Sequence, residues 1–344
     1  MVGFVDYLVL VILTFGIGTL AMNVDKFNRE EVKPSASPKL VVLVTGASSG
    51  IGKAIALEFA KHAEYKVWAT MRDPSKWDQN EVDALSVGVL DVTSDESVTS
   101  LVNRVIKEDG HIDILVNNAG FGLSGCLEMV QMSEARALFE VNYWGLVRMM
   151  QATLPHMRQA RRGYVINISS TSGIRGIPCF EFYTSSKFAL EGLADSMRYS
   201  LAQFNISVTN LNAGPVVTRF TERFGNAQAG GKGTRDPLDQ TGYLEALNQM
   251  MIDSLDRRMA SPEAQTAEDV AVIVHHLAVI KFEGPGRATD VPFNMGTSPE
   301  SQRVLEDIRV NPTGWGGLYS ELLKHMPPLL DASADEEEAG KDEL

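Results

Sequence analysis

The sequence predicts an α/β fold, a doubly wound parallel sheet with helices on both faces, in a single domain. Two observations carry that prediction. Short β-branched runs alternate with amphipathic helical stretches along most of the 344 residues, and such alternation builds a parallel sheet covered on both sides. A glycine-rich turn also stands between the first strand and the first helix, where this architecture binds ligands. With 44% hydrophobic residues the chain can bury a core of that size.

The first apolar run covers residues 40–45, and the helical pattern after it places Ile51, Ile55 and Phe59 on one face. Further strands are predicted at 67–71, 87–90, 114–116, 164–168 and 206–211, with helices at 94–107, 133–161 and 183–204 between them. Past Pro215 the pattern weakens. Residues 224–239 are rich in glycine and polar residues and read as a mobile loop. Helices resume at 242–259 and 267–279. A weak final strand at 288–294 contains Pro292. Residues 23–38, broken by Pro34 and Pro38, read as a linker, so the catalytic domain is expected over 39–330.

Cys126 and Cys179 are too few for a disulfide framework and lack companions at metal-ligand spacing; core packing is the expected use. The net charge of −13 is concentrated at one end, because residues 331–344 hold seven acidic residues and one lysine, a net −6. No broad basic face remains for nucleic acid.

The two ends of the chain point in different directions. Residues 7–22 form an apolar run that reads as a signal segment or a membrane anchor, with Thr19 and Ala21 as small residues before a cleavage point. Lysines and arginines follow the run, which for a retained anchor would leave the domain facing the cytosol. The final Lys341-Asp342-Glu343-Leu344 is a retention address read by the KDEL receptor in the endoplasmic-reticulum lumen. The lumenal reading is favoured; a cytosol-facing anchor is its alternative.

The turn Thr45-Gly46-Ala47-Ser48-Ser49-Gly50-Ile51-Gly52 is suited to a dinucleotide. Gly46 permits the tight turn, Gly50 lets backbone approach the pyrophosphate, and Gly52 lets helix and strand pack closely. Amides at the helix N-terminus then face the phosphates. Such a Rossmann-type turn leaves the choice of dinucleotide to the end of the second strand, which reads Val67-Trp68-Ala69-Thr70-Met71-Arg72-Asp73. Arg72 suits a 2′-phosphate and favours NADP(H); Asp73 leaves NAD(H) possible.

Tyr183 and Lys187, four residues apart at the start of a helix, share one face. A phenol with an ordinary pKa of about 10 is a poor proton carrier near neutrality, and a neighbouring ammonium is expected to bring it down. Ser170 ends the 164–168 strand and points to the ligand edge of the sheet. The lid expected over residues 215–260 holds Phe220, Phe224, Tyr243, Leu244, Met250, Met251 and Met259, which suits a sterol, retinoid or fatty-chain carbonyl.

The motifs TGASSGIG, LDV, NNAG, VNYWG, ISS, YTSSK and AGPVVT, in that order, resemble the short-chain dehydrogenase/reductase family, most closely its 17-beta-hydroxysteroid and retinol dehydrogenase branch. The resemblance implies that Tyr183 is the general acid or base, that Ser170 holds the substrate oxygen, and that Lys187 binds the nicotinamide ribose. Asn142 would hold a relay water beside Lys187. Ser48, Ser49 and Ile51 would join Gly46, Gly50 and Gly52 around the phosphates. Asp91 would meet the adenine, Asn118, Ala119 and Gly120 would line the adenosine side, and Pro215, Val217 and Thr218 would border the nicotinamide. The family implies a homodimer through the helices containing Ser133 and Tyr183, and it needs no metal. A catalytically silent dinucleotide- or lipid-binding module on the same fold is the alternative; epimerase chemistry fits the glycine spacing poorly.

Overall fold

The computed structural model describes residues 39–77, 85–218, 242–261, 264–283, 291–292, 294–298 and 301–305. The chain divides into two units, Met1–Ala36 and Ser37–Leu344, and every described residue belongs to the second. The predicted signal segment, the linker to residue 38, the 224–239 loop and the acidic tail lie outside the described residues.

Among the described residues seven strands form one sheet: β1 (Leu40–Thr45), β2 (Tyr65–Met71), β3 (Leu85–Val89), β4 (Ile114–Asn117), β5 (Gly163–Ser170), β6 (Ile206–Ala213) and β7 (Asn294–Gly296). Their order is β3-β2-β1-β4-β5-β6-β7, and every neighbouring pair is parallel. The order reverses between β1 and β4, so a crevice opens there at the carboxyl ends of the strands. The helices are α1 (Gly50–Ala60), α2 (Asp95–Asp109), α3 (Met132–Phe139), α4 (Leu146–Ala160), α5 (Glu181–Ala202), α6 (Tyr243–Met259) and α7 (Ala267–Glu283).

Side chains alternate across each strand, and both sets are apolar. Val42 and Val44 pack with Ile55 and Phe59 of α1 and Val270 and Val274 of α7. Val41 and Leu43 face the other way, against Leu101 and Val105 of α2, Met149 and Leu154 of α4, and Leu190 of α5. Among the described residues, no helix is long and apolar enough to cross a membrane.

Three predictions are corrected in detail. The helix expected at 133–161 is interrupted by a π-helical turn, Glu140–Gly145, where Gly145 lies so close to Val92 that an added Cβ would sit 2.7 Å from its Cγ2. The last strand starts at Asn294, after Pro292 rather than through it, since proline has no N–H for a sheet ladder. The cysteines are buried as expected, yet Cys126 and Cys179 are joined in a disulfide across 53 residues. The bond ties the loop after β4 to the loop before α5, packed against Leu247.

At the opposite edge of the sheet, buried Asp113 fastens the starts of three strands. Its carboxylate accepts the Val41 N–H at 2.8 Å and pairs with His111 and with Arg162, both at 2.9 Å. Removing one partner of such a buried charge pair costs about 3–5 kcal/mol, and Arg162, nearly half exposed, puts this one at the low end. Asp113→Ala is therefore expected to lower the unfolding free energy by about 3 kcal/mol. The hydrogen bond that His111 donates to Asp113 raises the His111 pKa against the opposing effect of burial. The stabilisation from His111 is thus complete below about pH 6.5 and lost as pH rises through the raised value. Chemical denaturation of wild type and variant at acid and alkaline pH should show the difference shrinking with pH.

Candidate active site

A cleft of about 1020 Å³ lies at the carboxyl edge of the sheet, over the β1–β4 crevice. It is lined by Gly46, Ser48, Ser49, Gly50, Ile51, Arg72, Asp91, Asn118, Ala119, Gly120, Ser170, Tyr183, Lys187, Pro215 and Thr218. Three further residues expected there take other places. Gly52 lies beneath the turn, where an added Cβ would meet Asn118 Nδ2 at 2.3 Å and the Gly46 carbonyl at 2.6 Å. Val217 turns away: its side chain is exposed and its N–H donates to Gln265 O at 3.1 Å. Asn142 is buried behind the cleft wall.

The glycine turn has the shape a pyrophosphate needs. Gly46 and Gly50 take φ of +67° and +57°, a region that disfavours residues with a Cβ. A side chain at Gly50 would press on Thr218, at 3.3 Å, across the floor of the cleft. Ser49 precedes α1 in extended conformation and its hydroxyl does not cap the helix, so the first-turn amides face the cleft as an anion site. Arg72 and Asp91 stand together at the ends of β2 and β3, and Arg72 helps hold the Asp91 pKa down after the larger effect of hydrogen bonds from Thr93. Asp73 instead accepts from Ser75 N–H and Oγ at 3.1 and 2.6 Å. These residues fit a dinucleotide.

The reacting groups gather where β5 ends and α5 begins. The Ser170 hydroxyl is hydrogen-bonded to the Tyr183 phenol and also accepts the Ser172 N–H at 3.1 Å, which fixes its rotamer. Lys187 reaches the same floor one turn along α5, its Nζ donating to Ile168 O at 2.8 Å and lying 5.8 Å from the Tyr183 ring centre. Asn142 braces the wall. Its Oδ1 accepts Phe121 N–H at 3.0 Å, and its Nδ2 donates to Phe121 O at 2.9 Å. The extra residue of the π-helical turn aims it there.

The electrostatics correct one expectation. Burial pushes the Tyr183 phenol up to about 12, opposed by the hydrogen bond from Ser170. The expected lowering by Lys187 does not prevail, because burial disfavours the phenolate and the ammonium is directed at the Ile168 carbonyl. Burial also brings Lys187 down to about 8, against the pull of Glu191. Around neutrality the phenol keeps its proton.

Beyond the phenol the cleft presents an apolar wall, with Ser254 and Arg258 of α6 also in its lining. Ile177, Phe180 and Phe121 from the loops and Met251 and Leu255 from α6 line it, and Phe180, Tyr183 and Met251 pack in one cluster with Leu138. Of the expected lid residues Met251 reaches the cleft; Tyr243, Leu244 and Met250 pack against the Cys126–Cys179 disulfide, and Phe220 and Phe224 lie outside the described residues. Sequence reading missed Ile177 and Phe180, whose only signal was an apolar character close before Tyr183. Among the described residues, Glu58, His62 and His275 bring ligand atoms within 4.8 Å of one another, but none of the three lines the cleft.

A nucleotide turn at the switch point, with serine, tyrosine and lysine converging beside it, defines a nicotinamide-dependent oxidoreductase of doubly wound fold. The model of the short chain dehydrogenase family matches residues 40–229. Retinol dehydrogenase 8 of Bos taurus is 42% identical over 307 residues, covering 84% of this chain and 92% of its own length. Estradiol 17-beta-dehydrogenase 1 of Rattus norvegicus is 36% identical over 227 residues, covering 61% and 66%. The solved structure of ElxO with NADP bound superposes with a TM-score of 0.55 at 29% identity, over 70% of this chain and 91% of that one. The chain belongs to the short-chain dehydrogenase family.

Proposed function

We propose that the protein interconverts a carbonyl and an alcohol on a lipophilic substrate of retinoid, steroid or acyl-chain type, with NADP(H) preferred and NAD(H) possible. The observation that carries this reading is the convergence of Ser170, Tyr183 and Lys187 at the junction of a dinucleotide turn and an apolar wall. Arg72 beside the ribose end, with Asp73 engaged by Ser75, supports the 2′-phosphate. The names of the retinol and estradiol relatives support the substrate class.

A nicotinamide dinucleotide held along Gly46, Gly50 and Thr218 would supply or accept the hydride. Ser170 and Tyr183 hold the carbonyl oxygen by hydrogen bonds and stabilise the charge that develops on it. Tyr183, protonated at neutral pH, donates its phenolic proton to that oxygen. Lys187 keeps a positive charge near the phenol while the proton leaves. Phe180, Met251 and Leu255 exclude water from the reacting face.

Tyr183→Phe keeps the ring and removes the proton. With NADPH and a panel of retinal, steroid ketones and acyl carbonyls, turnover is expected to fall at least about a hundredfold while NADPH affinity stays near wild type. Undiminished turnover in that variant would remove Tyr183 from the mechanism.

A homodimer through α3–α4 and α5 is supported by Trp144 and Phe188, large apolar side chains exposed along them. An endoplasmic-reticulum lumenal location, with the KDEL receptor as partner, is supported by the Cys126–Cys179 disulfide, since such bonds persist in oxidising compartments. Two sequons bear on it. Asn167 is fully buried. Asn205 is exposed between α5 and β6, and its Oδ1 takes the Lys281 ammonium at 3.0 Å, leaving Nδ2 for a glycan. In cells, endoglycosidase-sensitive modification at Asn205 is expected and should vanish in Asn205→Gln. The companion measurement is protease protection of the Lys341 to Leu344 stretch in intact microsomes; digestion without detergent would assign the domain to the cytosol.

A further inference from the structure

A carboxylate lies behind the reacting groups, and nothing in the mechanism above uses it. Glu191 is on α5, four residues past Lys187 and eight past Tyr183, so the three share one face. It is 9% exposed and accepts from three buried donors. Oε1 accepts from Ser169 Oγ at 2.5 Å and from Asn212 Nδ2 at 2.6 Å; Oε2 accepts from Asn210 Nδ2 at 2.5 Å.

These donors belong to an ordered row. Asn117, Asn167 and Asn210 stand in register on β4, β5 and β6. Asn117 Nδ2 donates to Asn167 Oδ1 at 3.0 Å, and Asn167 Nδ2 to Asn210 Oδ1 at 2.9 Å. Every amide therefore donates in one direction, and the row ends on Glu191. A carboxylate accepts at both oxygens, so it sets the orientation of the whole row.

The β5 end is gripped from the same point. Ser169 precedes Ser170, and Asn212 Nδ2 also approaches Ser170 O at 3.3 Å. Lys187 is bonded to Ile168 O on that strand. The turn that follows makes room for the carboxylate: a Cβ on Gly173 would sit 2.7 Å from Ser169 Oγ and 3.1 Å from Glu191 Oε1.

We propose that Glu191 is a positioning residue for the reaction, its carboxylate fixing the end of β5 that carries Ser170 and serving as the counter-charge behind Lys187. The proposal rests on the functional reading above for the identity of the reacting groups. Around Lys187, α5 offers Tyr183 and Glu191, the end of β5 offers serines and a carbonyl, and the π-helical turn offers Asn142. Arg72, Asp91 and Arg258 border the same cleft. Of these it is Glu191 that holds the Lys187 proton against burial. Burial raises Glu191 in turn, opposed first by its bonds from Ser169, Asn210 and Asn212 and then by Lys187.

The test uses the full chain and three variants. Glu191→Gln keeps the shape and removes the charge, Glu191→Asp keeps the charge, and Ser169→Ala removes one donor. The first readout needs no turnover: pH-dependent competitive acetylation of Lys187, followed by mass spectrometry. Its midpoint is expected to fall by at least about half a unit in Glu191→Gln, because a nearby opposite charge has gone, and to stay near wild type in Glu191→Asp. The second readout is the kcat–pH profile with NADPH and a carbonyl. In Glu191→Gln, kcat is expected to drop about tenfold with KM for NADPH within about twofold, and the alkaline limb to shift to lower pH. In Ser169→Ala, which loses a bond that favours the Glu191 carboxylate, the acid limb is expected to shift to higher pH. If Glu191→Gln does not fold, the acid limb of Ser169→Ala still decides. An unmoved Lys187 midpoint in folded Glu191→Gln, or unmoved limbs in Glu191→Gln and Ser169→Ala where these fold, would overturn the proposal. A wild type that turns over no carbonyl would contradict the functional reading instead, and the acetylation midpoints would still decide the role of Glu191 as counter-charge.

Discussion

Five hydrogen bonds at one junction set the position of nearly everything else. Thr45 Oγ1 donates to Val116 O at 3.3 Å and accepts the N–H groups of Asn118 and Ala119 at 2.9 and 3.0 Å. Asn118 Nδ2 returns to the carbonyls of Thr45 and Gly46, at 2.9 and 3.1 Å. These bonds tie the ends of β1 and β4, the two strands between which the sheet order reverses. They hold the glycine turn over the crevice and, because Gly52 has no Cβ to displace Asn118, let α1 lie against it. The carboxyl ends of β5 and β6 then fall beside the turn, since parallel strands end on one edge.

Burial sets the chemistry at that edge. It holds the proton on the Tyr183 phenol and loosens the one on Lys187. A phenol that keeps its proton at neutral pH is in the form that carbonyl reduction consumes, and a lysine near its own transition responds to the charges around it. The apolar wall of Phe180, Met251 and Leu255 thus has two roles. It accommodates a lipophilic substrate and supplies the low-dielectric surroundings that make each charge count.

Much of this was legible in the sequence, for physical reasons. Strands covered on both faces must be apolar throughout, so β1, β2, β4, β5 and β6 stood out as β-branched runs, and turn glycines with positive φ marked the nucleotide site. Other features left weaker traces. The π-helical turn inserts about one residue without altering the apolar stripe of the helix, so 133–161 read as continuous. The disulfide joins residues 53 apart, and spacing carries no pairing signal at that distance. The asparagines of β4, β5 and β6 did leave a trace: a polar residue inside a buried apolar run requires a partner, and three at matching depth imply a row. The fall of Tyr183 into an apolar pocket was invisible, because residues such as Ile177 and Phe180 reach it through loop geometry.

The proposed function stands on hydride transfer between NADPH and a carbonyl held by Ser170 and Tyr183. The most direct measurement uses NADPH carrying deuterium at the transferable position of nicotinamide C4, one carbonyl substrate and mass spectrometry of the product. One deuterium on the carbinol carbon, with an equal amount of NADP formed, is the predicted result. Tight NADPH binding without transfer to any retinoid, steroid or acyl carbonyl would contradict the account.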